Sequence, residues 1–367
     1  MSISTATSIA DFLELSGQLP IIDVRSPGEF AQGHIPFANN VPLLNDDERA
    51  AVGTLYKKKG SEAAIALGLE YVTPRKESMV EAVRAISAEY YESQRTETQR
   101  TDANQDPSNE ILVHCWRGGM RSEGFAQLLN ENGFRAQRLE GGYKAFRQAG
   151  RESFEVRQRI AILTGLSGAG KTQVLIALQD AGEQIIDLEG LANHRGSAFG
   201  GISQPDQPTQ EQFENNLFQN WRALDPKRVV WIESESQAIG TVRVTKGIWE
   251  QMTDSPGIFL DVPQERRLDF LMEQYGDLPV QCLEDAMGRI KKRLGGERHT
   301  ESVKSLASGD LRTFAHFALD YYDNAYNNAK KKCLQKEIIM VPAQTAGQVD
   351  LVPQLVELGA SCTSATD

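Results

Sequence analysis

Ile160-Ala161-Ile162-Leu163-Thr164-Gly165-Leu166-Ser167-Gly168-Ala169-Gly170-Lys171-Thr172 reads as a short buried strand that runs into a glycine loop, with a helix continuing over Thr172 to Leu178. Residues 165–172 match G-x-x-x-x-G-K-[ST] with no departure. Gly165, Ser167, Gly168, Ala169 and Gly170 would form the cradle, because glycines let backbone fold around a phosphate without Cβ clashes. Lys171 would reach the terminal phosphate, and Thr172 would offer its hydroxyl to Mg²⁺. A glycine turn without a ligand is the plainer alternative. The strand before the loop and the helix after it are the context that a phosphate-binding loop requires.

Outward from this loop, further strands are expected at Gln184–Asp187, Val229–Glu233, Ile258–Val262 and Ile338–Val341. Helices are expected at Gln210–Arg222, Gln264–Tyr275, Gln281–Leu294 and Leu311–Lys332. An acidic residue at a strand end normally serves Mg²⁺ beside such a loop. Glu233 and Glu235 are the first candidates for metal binding or acid/base work, with Asp187 and Glu189 as rivals. Pairing of the two glutamates with Arg243 or Lys246 is the structural alternative. Asn193-His194-Arg195-Gly196-Ser197-Ala198-Phe199-Gly200-Gly201 suits a substrate loop through His194 and Arg195, and Arg293 to His299 is a similar segment. Both could equally be connectors.

On the N-terminal side lies a second anion loop of different design, His114-Cys115-Trp116-Arg117-Gly118-Gly119-Met120-Arg121-Ser122. A thiolate needs a positive, hydrogen-bonding environment, and Cys115 has Arg117 and Arg121 around it with Gly118 and Gly119 between them. An inert core thiol would not need those neighbours. Trp116 and Met120 complete the loop, and Trp116 would stack on a base or pack within the domain. Strands at Ile21–Val24 and Ile111–His114, with helices at Ser78–Tyr91 and Ser122–Asn130, repeat a strand–loop–helix order that implies a parallel sheet covered by helices. Residues 92–109 are polar and read as a mobile insertion, and the charged stretch Arg151 to Arg159 reads as the linker. The expected organisation is therefore α/β: residues 1–150 as one domain, and residues 151–367 as a P-loop NTPase-like domain with a mainly parallel sheet.

Composition bounds the rest. A chain of 367 residues favours two domains, and 40% hydrophobic with 24% charged residues is ordinary for a soluble protein. No apolar run approaches the ~18 residues of a membrane span, and Met1 to Ala10 has no basic residue ahead of its weakly apolar stretch, so a cytoplasmic location with no membrane partner is expected. Cys115, Cys282, Cys333 and Cys362 show no C-x-x-C spacing, which fits a reducing compartment without disulfides or a zinc ribbon. Cys282 and Cys333 read as structural, and Cys362 as part of a loose tail. A net charge of −11 argues mildly against a nucleic-acid partner. Local basic clusters at Lys57-Lys58-Lys59, Arg75-Lys76, Lys291-Lys292-Arg293 and Lys330-Lys331-Lys332 keep one open, though each is more often a solvated helix face.

Asp23-Val24-Arg25-Ser26-Pro27-Gly28-Glu29-Phe30, then Gly33-His34-Ile35-Pro36 and Leu139-Glu140-Gly141-Gly142-Tyr143-Lys144-Ala145-Phe146, resemble the signatures of rhodanese domains. In that family the cysteine carries a persulfide. Five residues separate Cys115 from Arg121, a longer loop than ordinary rhodaneses have, and this H-C-x5-R spacing is shared with cysteine phosphatases. The rhodanese pattern joined to the P-loop and to Trp231-Ile232-Glu233-Ser234-Glu235-Ser236 resembles the tRNA 2-selenouridine synthases over almost the whole chain. The resemblance implies tRNA as partner and the wobble uridine of the anticodon as target. It implies selenophosphate as selenium donor for 2-thiouridine, and geranyl diphosphate as donor for an S-geranyl intermediate. On that reading the P-loop would hold geranyl diphosphate, with Mg²⁺, and the Cys115 loop would hold selenophosphate or a selenium adduct. The competing readings are a phosphatase with Cys115 as nucleophile and Glu123 as a weak general acid, a nucleotide-switched binding protein, and an ATP-dependent sulfurtransferase.

Overall fold

Two parallel five-stranded sheets organise the chain, one in each of two compact units, Met1–Glu152 and Ser153–Asp367. The structure is a computed structural model that describes residues 5–94, 109–330 and 338–364. In the first unit β1 (Thr5–Thr7), β2 (Ile21–Asp23), β3 (Ala38–Asn40), β4 (Glu110–His114) and β5 (Arg135–Leu139) stand in the order β1-β5-β4-β2-β3, every pair parallel. Covered on both faces, the two central strands β2 and β4 carry apolar runs, whereas β5, next to the edge strand β1, keeps Arg135, Gln137 and Arg138. Ile21, Ile22, Ile111, Leu112 and Val113 are all buried. β4 is the middle strand, so Cys115 emerges at the centre of the sheet's carboxyl edge.

Apolar runs mark β2 and β4 but not the other three strands. β1 and β3 lie at the sheet edges, and β3 is the polar Ala38-Asn39-Asn40, so apolar periodicity does not mark them. The helix expected at Ser78–Tyr91 runs over Lys76–Gln94, and the one expected at Ser122–Asn130 over Met120–Glu131. Lys57, Lys58 and Lys59 close the last turn of helix Asp46–Lys59, exposed, where cations complement the helix dipole. Of the polar stretch 92–109, residues 95–108 lie outside the described residues, as do Cys333, Lys331 and Lys332.

In the second unit β6 (Arg159–Gly165), β7 (Gln184–Ile186), β8 (Val229–Glu233), β11 (Gly257–Asp261) and β12 (Ile338–Pro342) form the sheet, in the order β12-β11-β6-β8-β7 and all parallel. A separate antiparallel pair joins β9 (Ala238–Ile239) to β10 (Val242–Arg243). The chain leaves β6 toward β7 and β8 on one side and reaches β11 and β12 on the other. The carboxyl end of β6 is thus the switch point where open α/β sheets bind ligands. Four helices, Gln264–Tyr275, Val280–Leu294, Gly296–Ala307 and Leu311–Lys330, build a further layer with its own apolar cluster around Leu283, Met287, Leu306 and Phe314.

Two expectations need correction, and a third segment takes the connector form that was its equal alternative. The stretch from Arg151 to Arg159 is not all linker, because helix Gly142–Ser153 runs into it and Phe154 is an aromatic anchor. Phe154 meets Phe218 and Trp221 edge-on, each at 6.3 Å, and the Trp221 indole N–H donates to the Ser153 carbonyl at 3.1 Å. Cys362 is not in a loose tail: it lies on helix Val352–Ser364, half-buried against the sheet core. Arg293 to His299 is the turn between two helices, with Gly295 capping the first and helix Gly296–Ala307 starting at once. Among the described residues Cys115, Cys282 and Cys362 are free thiols, and no helix is long and apolar enough to cross a membrane.

Because Phe154 fills a site bounded by two other aromatics, Phe154→Ala should cost about 3–5 kcal/mol. Thermal unfolding should show the loss as a lowered transition temperature.

Candidate functional site

In the first unit β4 delivers Cys115 directly into a loop whose following helix, Met120–Glu131, turns its N-terminal dipole toward the thiol. A second backbone segment props that loop. The Tyr143 N–H donates to the Cys115 carbonyl at 2.8 Å, the Lys144 N–H to the Trp116 carbonyl at 3.0 Å, and the Arg138 guanidinium to the Gly118 carbonyl at 2.6 Å. Gly142 sits at φ +61°, and the space a Cβ would take is filled by the backbone of Cys115 and Gly118. Gly142 is therefore a packing requirement of the cysteine loop.

Cys115 is buried, with its Sγ 3.2 Å from the Ser122 hydroxyl. Burial opposes ionisation of the thiol. The Ser122 hydroxyl, the backbone N–H groups of Ser122 and Arg117 and the charge of Arg121 outweigh it and hold the Cys115 pKa below the ordinary thiol value. Arg121 donates to Glu29 at 3.0 Å, and Glu29 also faces Arg49 at 3.4 Å. Glu29 is placed there by a capping box with Ser26 at the start of helix Pro27–Gln32. Arg117, Trp116 and Met120 are exposed at the loop, and Gly119 caps the helix. Glu123 is exposed on the first turn of that helix.

Beneath the loop lies a charged cluster whose role the sequence reading did not assign. Arg25 and Asp23 are both fully buried and pair at 2.6 Å, and the Arg25 guanidinium lies 3.8 Å from the Tyr143 ring centroid. Burial pushes Asp23 up, but His114 and Arg25 overcome it and hold the carboxyl below its usual value. Burial pushes the His114 pKa down, against the pull of Asp23. The Asp23-Val24-Arg25 string thus supplies a buried ion pair that supports Tyr143, which in turn holds the Cys115 carbonyl.

In the second unit the P-loop leaves the middle strand, and Lys171 opens helix Lys171–Asp180. Gly170 stands at φ +75° with the backbone of Ala346 and Gly347 where a side chain would project. The Gly347 N–H donates to the Ala169 carbonyl at 3.0 Å. Lys171 Nζ lies 3.4 Å from the Gly165 carbonyl. The Thr172 hydroxyl is 3.3 Å from Glu189 and 3.4 Å from Glu233, and the Glu189 N–H donates to Glu233 at 3.0 Å. Lys246 pairs instead with Glu250, and the acidic strand end reaches Thr172 of the P-loop. Asp187 borders the cavity, but its carboxylate caps helix Leu188–Ala192 through the Gly190 N–H at 2.7 Å.

Glu189, Glu233 and Glu235 crowd together. Burial and the charge of Glu235, only partly offset by Lys171, push Glu189 up to about 8. Burial and Glu189 push Glu233 well above the carboxylate range, and burial raises Glu235 against the pull of Lys171. Among the described residues no group of three or more His, Cys, Asp or Glu is arranged to hold a metal. A smaller oxygen set, Thr172 with Glu189 and Glu233, is of the kind Mg²⁺ takes while keeping waters.

A cavity of about 530 Å³ opens beside the P-loop. One end is polar, lined by Ser167, Gly168, Lys171, Thr172, Glu189, Glu235 and Arg195. The rest is largely apolar, walled by Phe199, Leu283, Phe314, Ala318 and the rings of Tyr275 and Tyr322, while Leu271 and Tyr326 stand beside the P-loop at Gly168 and Thr164. Those tyrosine hydroxyls are engaged: Tyr322 accepts the Ala198 N–H at 2.7 Å, Tyr326 meets Thr164 at 3.0 Å, and Tyr275 meets Arg195. Arg267, missed by the sequence reading, is buried and links the P-loop to this wall, donating to the Ser167 carbonyl at 3.1 Å and to both Asp323 oxygens at 2.9 and 2.7 Å. Of the expected site residues, His194, Glu233 and Ala169 do not border the cavity. His194 is turned aside, Glu233 acts from behind Thr172, and Ala169 is packed under Gly347.

These two sites define a class of two-unit α/β protein: a cysteine anion loop on a rhodanese sheet, followed by a P-loop sheet. A family profile described as rhodanese-like domain matches residues 5–149, and one described as tRNA 2-selenouridine synthase AAA domain matches residues 158–281. The tRNA 2-selenouridine synthase of Hydrogenovibrio crunogenus is 37% identical over 350 residues, covering 86% of this chain and 91% of that one. Those of Nitrosomonas europaea and Sulfurovum sp. are 37% and 34% identical, covering 74% and 84% of this chain and 65% and 88% of theirs. The chain belongs to the tRNA 2-selenouridine synthase family.

Two titrations follow from the site electrostatics. Alkylation of Cys115 by iodoacetamide should have its midpoint below the free-thiol value of ~8.5, and Ser122→Ala should move it upward. Glu189 retains a proton in the folded protein between its ordinary 4.5 and about 8, so its stabilising contribution is complete below the lower value and is lost as pH rises through the upper one. Glu189→Gln should therefore flatten the fall in melting temperature between about pH 5 and about pH 9.

Proposed function

We propose that this chain modifies the wobble uridine of tRNA, converting 2-thiouridine to 2-selenouridine through an S-geranyl intermediate. Family membership supports the tRNA-modifying reading. The observation that carries the prenyl step is the cavity beside the P-loop. Its far end offers ring faces and methyl groups, and its tyrosine hydroxyls are already engaged, which suits a terpene chain better than a nucleobase edge.

On this reading the N–H groups of residues 167–172, with Lys171, take the diphosphate of geranyl diphosphate, and the chain lies against the helical wall. Mg²⁺ would be held through Thr172 and the carboxylates behind it, and it would neutralise diphosphate charge. The thiouridine sulfur attacks C1 of the geranyl group: the C–S bond forms, the C1–O bond breaks, diphosphate leaves with the electron pair, and N3 loses its proton. Alkylation turns the sulfur into a leaving group.

The Cys115 loop receives selenophosphate, whose charge Arg117 and Arg121 balance. Selenium attacks C2 of the base and geranylthiol departs with a proton. Water then cleaves the Se–P bond, giving phosphate and 2-selenouridine. The low Cys115 pKa supports a site built to keep a chalcogen anion beside positive charge.

The test is mass spectrometry of nucleosides from tRNA carrying wobble 2-thiouridine, incubated with the protein, geranyl diphosphate and selenophosphate, separately and together. Geranylated nucleoside is expected with the first donor, and 2-selenouridine with both. Lys171→Ala should cut geranylation by ~100-fold or more, since it removes charge stabilisation at the leaving group. Cys115→Ser should leave geranylation intact and abolish selenation. Intact geranylation in Lys171→Ala would refute this division of labour. Unchanged nucleosides with rapid aryl phosphate hydrolysis would bring forward the cysteine-phosphatase reading, and ATP turnover the sulfurtransferase.

A further inference from the structure

A small set of buried side chains stands between the apolar part of the cavity and the core of the helical layer. Phe199, Leu283, Phe314 and Ala318 border the cavity and also belong to the buried cluster of the helical layer, with relative exposures of 5, 2, 2 and 8%. Behind them stand Met287 and Ile290, themselves buried. Phe199 and Phe314 meet edge to face at 6.1 Å and form the floor.

This floor is held from both sides. Phe314 rides on helix Leu311–Lys330. The segment carrying Phe199 is fixed by the Ala198 N–H, which donates to Tyr322 at 2.7 Å, and by Arg289, which donates to the Ala198 carbonyl at 3.0 Å. Neither ring can swing away without breaking a packed contact, and such interiors resist deformation. A floor of this kind measures whatever chain is anchored by its head at the P-loop.

We infer that Phe199 and Phe314 set the length of the prenyl diphosphate this chain accepts, with Ala318 leaving the room that a ten-carbon tail needs. The inference rests on the proposed prenyl-transfer reading of the cavity. Shrinking the floor rings lengthens the chamber and admits a fifteen-carbon donor. A larger side chain at position 318 shortens it and favours a five-carbon donor.

The experiment compares dimethylallyl, geranyl and farnesyl diphosphate as donors to tRNA bearing wobble 2-thiouridine, with kcat/KM for each read by nucleoside mass spectrometry. Full-length Phe314→Leu, Phe199→Leu and Ala318→Leu are measured beside the unaltered chain. The two phenylalanine variants should raise the farnesyl-to-geranyl ratio about tenfold or more, the scale on which apolar chambers discriminate by size. Ala318→Leu should raise the dimethylallyl-to-geranyl ratio comparably. Inhibition by inorganic pyrophosphate, which has no tail to meet the floor, should change far less than the donor ratios in all of them.

Prenylation by the unaltered chain with the same donor ratios in all three variants would overturn the floor and leave the prenyl-transfer reading standing. No prenylation by the unaltered chain with any donor would remove both. If a phenylalanine variant fails to fold, as thermal melting would report, Ala318→Leu still decides the inference, because it adds volume and creates no cavity.

Discussion

Backbone packed directly on backbone is the constraint from which both anion loops derive. A loop that turns its N–H groups toward a ligand has carbonyls left over, and those need partners on its inner side. In the first unit residues 142–144 supply them, with Gly142 admitting the Cys115 loop to contact. In the second, Gly347 does the same beneath Ala169 and Gly170. Each loop thus depends on a glycine far from it in sequence.

The electrostatics of the two sites differ in kind. Around Cys115 the arrangement favours the anion: Ser122, backbone N–H groups and Arg121 oppose the cost of burial. Glu29 is bonded to Arg121, so an incoming oxyanion must compete with a carboxylate already held there. Around Thr172 the arrangement disfavours anions, since three glutamates share one lysine and retain protons above their usual range. A divalent cation would relieve that crowding.

Most of the architecture was legible because it follows from apolar runs bounded by turn residues. β2, β4, β6 and β8 announced themselves in that way, and with them the positions of both loops. β1 and β3 did not, being short edge strands with polar residues, where burial on two faces is not required. The P-loop and cysteine motifs are local, so Lys171, Thr172 and Cys115 could be read directly. The cavity wall is assembled from three helices and a loop, and no spacing within one segment reveals such an assembly. One partial signal existed. Leu311, Phe314, Ala318, Tyr322 and Tyr326 recur at helical spacing and give one face that lines the cavity. His194 and Arg195 are adjacent in a glycine loop, yet only Arg195 lines the cavity.

Arg267 bonds at once to the Ser167 carbonyl of the phosphate loop and to Asp323 on the helix that walls the apolar chamber. The two ends of the cavity are therefore mechanically joined through one buried guanidinium. A ligand that orders the loop at its head also stiffens the wall against its tail, so the free energies of the two halves do not add as they would in independent subsites. Truncating such a ligand at either end loses more than the contacts removed, and a bare diphosphate is a poor measure of what the loop contributes to holding the whole molecule.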